Sequence, residues 1–166
     1  MTSSQHDLLN TWTLWAHLPD NPDWSLEGYI EIYSFKTLEE AFVLFENIPN
    51  AVLETCWLFL MRQGITPRYE DVSNKNGGTF VYKVSNSAVP TAWQALCFSV
   101  IGESISSIPG FSSAVTGISI SPRKNYAVIK IWLTNCEYQN PYDITNELND
   151  IYLSTKDCEF KQHSIS

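Results

Sequence analysis

The stretch Tyr29-Ile30-Glu31-Ile32-Tyr33-Ser34-Phe35, running into Lys36-Thr37-Leu38-Glu39-Glu40, places a strand directly before a helix. Its first seven residues alternate with period two, so odd and even positions face opposite sides of a half-covered sheet. Thr37-Leu38-Glu39-Glu40 then reads as a capping box, in which the Thr37 hydroxyl caps the third amide and Glu40 reaches back. The helix it opens runs to about Asn47.

The same strand signal recurs along the chain. Aromatic and β-branched runs at Thr11–His17, Gly28–Phe35, Trp57–Arg62, Thr79–Val84, Val115–Ser121, Tyr126–Thr134 and Cys158–His163 predict strands. A second helix is predicted from about Pro90 to Glu103, with apolar positions at Trp93, Leu96, Cys97, Val100 and Ile101, proline in its first turn and Gly102 near its end. A third, about Tyr142 to Leu153, carries a narrow stripe of Ile144, Leu148, Ile151 and Tyr152. Short strands with tight connections favour antiparallel pairing. The expected fold class is α+β, a curved antiparallel sheet of about eight strands backed on its convex face by three helices, with a ligand in the concave face.

With 166 residues, no repeat and no low-complexity linker, residues 1–166 read as one domain. The formal net charge is −8, which disfavours general coating of nucleic acid, since that depends on Lys and Arg displacing counterions. A pocket for one base or one chain end needs only a local cation or two. Cys56, Cys97, Cys136 and Cys158 are far apart and form no CxxC pair, which argues against a disulfide framework and a zinc site. Reduced, mostly buried thiols are expected. Met1 to Asn10 lacks a basic-then-apolar leader, and no run reaches the roughly 18 apolar residues of a membrane helix, so a soluble cytoplasmic monomer is the expectation.

The chemistry concentrates in Gly64-Ile65-Thr66-Pro67-Arg68-Tyr69-Glu70-Asp71, followed by Gly77-Gly78. An aromatic ring beside a carboxylate on a proline-stiffened loop suits a planar, cationic, hydrogen-bond-donating heterocycle. The ring stacks on the cation, and the carboxylate accepts two parallel N–H bonds from one edge. Trp24, in the turn-rich Pro19-Asp20-Asn21-Pro22-Asp23-Trp24-Ser25, is the candidate second wall, although a ring capping the sheet edge is an equal alternative. Each stacked ring contributes on the order of 1–3 kcal/mol in base recognition. A positive charge on an alkylated base adds roughly 0.5–2 kcal/mol.

In order along the chain, these pieces resemble the eukaryotic translation initiation factor 4E family, which binds the 7-methylguanosine cap of mRNA. The matching residues are His6 with Trp12-Thr13-Leu14-Trp15; Trp24; Phe35-Lys36-Thr37-Leu38-Glu39-Glu40; and Gly64-Ile65 through Glu70-Asp71 with Gly77-Gly78. They continue with Trp93, Ile101-Gly102-Glu103-Ser104, Gly117, Arg123, Ile131-Trp132 and His163. The resemblance implies a guanine sandwiched between Trp24 and Tyr69, its N1 and N2 protons accepted by Glu70, with Arg123 on phosphate and Trp132 near the methyl group. Tyr69 stands where many members have tryptophan. Further phosphate-binding cations of the family are replaced here by Thr79 and by Asn125 or Val128, leaving Lys124 and Arg68 as candidate substitutes. Three residues follow His163, so the family's C-terminal loop, with its lysine and regulatory serine, is expected to be missing.

The resemblance also implies a helix-docking surface for a scaffold initiation factor 4G-like protein or a 4E-binding repressor. The matching positions are His6, Leu38, Phe42 and Gln94, with Phe98 and Gly102 at successive turns beyond. Leu38 and Phe42, one turn apart, make an apolar spot, whereas Gln94 replaces a leucine and, if buried, needs a hydrogen-bond partner. No P-loop, GxSxG or GxGxxG signature occurs. His6, His17 and His163 lack metal-ligand spacing and are expected at surface or structural positions; no metal and no cofactor are expected. The serines at Ser104–Ser107 and Ser112-Ser113 read as a solvated loop. Three readings follow: a non-enzymatic cap-binding initiation factor; a cap-binding repressor or specialised paralogue with altered scaffold binding; and, least supported, an enzyme acting on nucleotides.

Overall fold

The structure is a computed structural model describing residues 5–144 and 153–163. Its seven strands are β1 (Asp7–His17), β2 (Ile30–Thr37), β3 (Trp57–Arg62), β4 (Gly78–Ser85), β5 (Val115–Pro122), β6 (Tyr126–Leu133) and β7 (Glu159–Gln162). They form one curved, open antiparallel sheet in the order β2-β1-β3-β5-β6-β4-β7. The helices are α1 (Leu38–Glu46), α2 (Asn50–Thr55), α3 (Val89–Ile101) and the single turn α4 (Phe111–Ala114).

Alternation along the strands sorts side chains cleanly between the two faces. Register pairs Leu14 with Leu60, Leu60 with Ile118, Ile118 with Ile131 and Ile131 with Phe80, one buried apolar row beneath the helices. Trp93, Leu96, Cys97, Val100 and Ile101 of α3 close onto it, together with Ala41 and Phe45 of α1. Each such side chain, fully buried, contributes about 1.5–3 kcal/mol. The neighbouring positions form the opposite face: Ser119 pairs with Lys130 and Lys130 with Val81, while Trp132 pairs with Thr79 and Thr79 with Lys161. That face carries a smaller cluster of Phe59, Met61 and Trp132. Polar and aromatic groups are left there for recognition.

The capping box forms as expected. The Glu40 amide donates to Thr37 Oγ1 at 3.2 Å, and the Thr37 hydroxyl donates to Glu40 Oε1 at 2.9 Å. At the end of α3, Glu103 takes the left-handed region (φ 54°) and forms a bidentate pair with Arg62 of β3, at 2.7 and 3.0 Å. The Arg62 guanidinium also lies over the Trp12 ring at 4.6 Å and donates to the Ser112 carbonyl. The Ile101-Gly102-Glu103-Ser104 motif is therefore a structural clasp between helix and sheet.

Three sequence expectations need correction, and a fourth falls mostly outside the described residues. There are seven strands among the described residues, not eight. Ser112 and Ser113 belong to α4 rather than to a solvated loop, and α2 was not anticipated; both helices are too short to show helical periodicity. Only Cys97 of the four free thiols is fully buried. The predicted third helix lies mostly outside the described residues, which show a 3-10 turn at Pro141–Asp143 and buried Ile144 and Leu153. No described helix is long and apolar enough to cross a membrane.

Candidate functional site

The loop from Gly64 to Gly77 is braced from within. Gly64 has φ +86°, the left-handed conformation glycine adopts freely, and turns the chain out of β3. The Asp71 carboxylate accepts the Thr66 amide (2.8 Å), the Thr66 hydroxyl (2.7 Å) and the Ser73 amide (2.8 Å). Partial burial raises its pKa, but these hydrogen bonds outweigh that and hold it below the usual carboxylate value. Asn74, fully buried, donates to the carbonyls of Thr66 and Arg68 and accepts the Thr116 hydroxyl at 2.7 Å. Its own carbonyl accepts the His163 Nδ1–H at 2.7 Å. One asparagine thus joins the loop to β5 and to the residue after β7.

Arg68, Tyr69 and Glu70 project from this braced loop. Tyr69 stacks on Trp132, with centroids 4.9 Å apart and planes 17° apart, and leans on His163 at 4.7 Å. Trp132 is buried, its Nε1–H donating to Ser119 Oγ at 2.9 Å, which fixes the floor of the stack. Lys130 Nζ donates to the Tyr69 hydroxyl at 2.8 Å.

Trp24 comes from the loop at the other end of the β1–β3 pair. Its turn is tied by Asp23, whose carboxylate accepts the Ser25 hydroxyl (2.6 Å) and amide (2.9 Å). Gly28 permits the loop's tight return, because a Cβ there would sit 1.8 Å from the Asp23 carbonyl oxygen. The Trp24 indole lies flat on His17, centroids 3.6 Å apart and planes within 2°. His17 is buried and faces two carbonyls, Leu18 at 3.0 Å and Asp23 at 2.7 Å; a neutral ring donates to one of them at a time.

Trp24, Arg68, Tyr69, Glu70 and Trp132 line one cavity of about 240 Å³ on the open face. Trp24 (46% exposed) and Tyr69 (43%) each have one ring face covered, by His17 and Trp132 respectively. Glu70 and Asp71 diverge, as adjacent residues on a loop do: Asp71 turns inward while Glu70 lines the cavity. Burial first, and the Glu70 charge second, push the nearby Tyr29 hydroxyl up to about 12. Arg68 Nε is buried with no hydrogen-bond partner among the described residues.

Arg123 lies in the lining of a second, larger hollow of about 880 Å³, which shares Tyr69 and Lys130 with the first. Lys124 does not line either one. It borders a separate depression with α2 and the start of α3.

A sequence profile described as "Eukaryotic initiation factor 4E" matches residues 7–166. The chain belongs to the eukaryotic initiation factor 4E family. It is 33% identical over 138 residues to eukaryotic translation initiation factor 4E-2 of Schizosaccharomyces pombe, covering 79% of this chain and 55% of that protein. To eukaryotic translation initiation factor 4E of Homo sapiens it is 29% identical, covering 80% and 63%. The chain thus spans little more than half to two thirds of these relatives. The fold is shared with C. elegans eIF4E-3, solved with the 4E-binding protein Mextli and cap analog (TM-score 0.72, 22% identity, 80% and 76% covered). It is shared equally with Ascaris suum eIF4E-3, solved with m7G cap (TM-score 0.72, 22% identity, 81% and 76% covered).

On the helical side of this 4E-family sheet, Phe42 is 44% exposed and packs against half-buried Phe98 with centroids 4.8 Å apart. Leu38 is half-buried, and Gln94 and Gly102 are exposed. Gln94 therefore carries no buried-amide penalty in the folded chain. His6 is bonded to the first turn of α1: Nδ1 lies 2.6 Å from Glu39 Oε1, and its carbonyl accepts the Leu38 amide. The other flank of α1 borders an apolar hollow of about 760 Å³ with Ile32, Val43, Leu44 and Ile48. Sequence reasoning missed that hollow, and it also missed His17 beneath Trp24. Only the crowding of apolar residues on α1 hinted at the first; nothing hinted at the second.

Proposed function

We propose that this chain binds the 7-methylguanosine cap at the 5′ end of mRNA and acts in translation initiation as a binding protein with no catalytic step. The observation that carries this reading is the gathering of Trp24, Tyr69, Glu70 and Arg68 around one cavity on the open sheet face. Trp24 and Tyr69 present the stacking surfaces, Glu70 accepts from the guanine edge, and Trp132 sets the depth of the slot. Arg123 meets the phosphates, with Arg68 beside them; the position of Lys124 lends it no support. Family membership and the cap ligands of the structurally similar eIF4E-3 proteins support the same reading. Residues 1–166 act as one cap-binding domain, monomeric and cytoplasmic. The Phe42–Phe98 surface of α1 and α3, flanked by Leu38, Gln94, Gly102 and His6, receives a scaffold or repressor helix. A repressor reading has one observation in its favour, the exposed amide of Gln94 where a leucine would add apolar contact.

Tryptophan-fluorescence titration tests the proposal. Saturable quenching by 7-methylguanosine triphosphate with a far weaker response to GTP is expected. An equal response to both nucleotides overturns it.

A further inference from the structure

The hollow beside the cap cavity holds more positive charge than the one arginine, Arg123, assigned to the cap's phosphates. It lies on the open face of β6, β4 and β7, three strands spanning roughly 10 Å. Lys83, Arg123, Lys130, Lys156 and Lys161 line it, half of the ten Lys and Arg side chains in a molecule of net charge −8. Among the described residues two carboxylates, Asp157 and Glu159, share the lining, and Glu159 approaches Lys161 at 3.7 Å on the exposed rim. Lys83 lies over the Tyr126 ring at 5.4 Å, so an aromatic surface accompanies the charge.

We infer that this hollow is a groove for the RNA strand that follows the cap, engaging phosphodiesters through Lys83, Lys156 and Lys161 beyond the triphosphate. The inference rests on the cap reading. Tyr69 and Lys130 belong to both linings, so a polyphosphate leaving the base cavity crosses directly into the groove. The register supports a continuous track. Lys130 stands beside Val81 and Val81 beside Glu159, with Thr79 and Lys161 in the next row and Lys83 in the row on the other side. Cations in such a groove, with a ring for a base to rest on, suit single-stranded nucleic acid without sequence preference. An acidic peptide would have no reason to begin at Tyr69.

The test compares three ligands over a range of salt: 7-methylguanosine triphosphate, a short capped oligoribonucleotide, and the same oligonucleotide uncapped. The capped oligonucleotide is expected to bind several-fold tighter than the mononucleotide at low salt. Its log affinity should fall more steeply with log salt, by about 0.7 for each additional phosphate engaged. The exposed pair Lys83→Ala with Lys161→Ala should erase that advantage and leave the mononucleotide unchanged. Lys36→Ala, on the far edge strand β2, should change neither. A capped oligonucleotide no tighter than the mononucleotide overturns the groove, and so does an equal loss of both ligands in the double variant. Uncapped RNA binding as well as capped, and lost in the double variant, keeps the groove and sinks the cap reading. Failure of all three ligands sinks both.

Discussion

The Lys130 ammonium donates to the Tyr69 hydroxyl across 2.8 Å, and this bond stands at the junction of the two hollows on the open sheet face. One group of the pair supplies a π-face and the other a cation. Tyr69→Ala is expected to weaken cap binding by about 1–3 kcal/mol, the contribution of one stacked ring. Tyr69→Phe removes only the hydroxyl and should lose far less, and Tyr69→Trp should match or improve on the wild type. Fluorescence titration with cap analogue measures all three; equal losses in the Ala and Phe variants would contradict the stacking role.

His17 positions Trp24 without reaching the ligand. Replacing it with alanine should lower cap affinity several-fold and shift the emission of Trp24, because the indole loses its parallel partner. His17→Phe restores a flat ring and should recover both readouts. Failure of His17→Phe to recover emission would assign the effect to the Leu18 and Asp23 carbonyl contacts instead.

Glu70→Ala should cost at least about 1.5 kcal/mol in cap affinity, the usual worth of hydrogen bonds to a charged acceptor. Calorimetry on the variant decides it, and near-wild-type binding removes the edge-reading role. Arg123→Ala should weaken 7-methylguanosine triphosphate more than 7-methylguanosine. Equal losses would exclude a phosphate contact.

Asp71 and His163 make the site's stability acid-sensitive. The Asp71 carboxyl is held below its ordinary 3.8 by hydrogen bonds that overcome its burial, so its contribution is present above that value and disappears as pH falls through the lowered one. His163 is held below its ordinary 6.5 by burial foremost, opposed by the Asn74 carbonyl and aided by Lys130. Its contribution is full above 6.5 and is likewise lost on acidification. Both signs agree, so the melting temperature should decline as pH drops below about 6.5. Asn74→Ala strands several buried partners and should cost about 1–3 kcal/mol in chemical denaturation.

Phe42→Ala should abolish binding of a scaffold-derived helical peptide while leaving cap affinity unchanged, since Phe42 lies on the helical side of the sheet. A pulldown with the wild-type chain as reference distinguishes initiator from repressor. No binding by the wild type favours the repressor.

The strands were readable because each alternates over a half-covered sheet. Trp57–Arg62 was placed to the residue, and the others to within a few residues, β1 extending furthest beyond its predicted start. The Thr37 capping box was equally local and equally legible. What escaped was tertiary. His17 gives no sign in sequence that Trp24 will lie on it from seven residues away, because the contact depends on how the Gly28 return folds the loop. The five groove cations are scattered from Lys83 to Lys161, and only strand order brings them together. Lys124 shows the converse: adjacent to Arg123 in the turn after β5, it borders the depression beside α2 and α3 but, unlike Arg123, not the large hollow on the open face.

Gathering so much positive charge on one side of an otherwise acidic body gives the molecule a pronounced electrical polarity. A polyanion diffusing nearby is turned away from most of the surface and drawn toward a single quadrant, which raises the fraction of encounters that arrive correctly oriented. Speed of capture and duration of hold are then governed by separate parts of the chain. Ionic strength acts mainly on the first, and ring chemistry on the second.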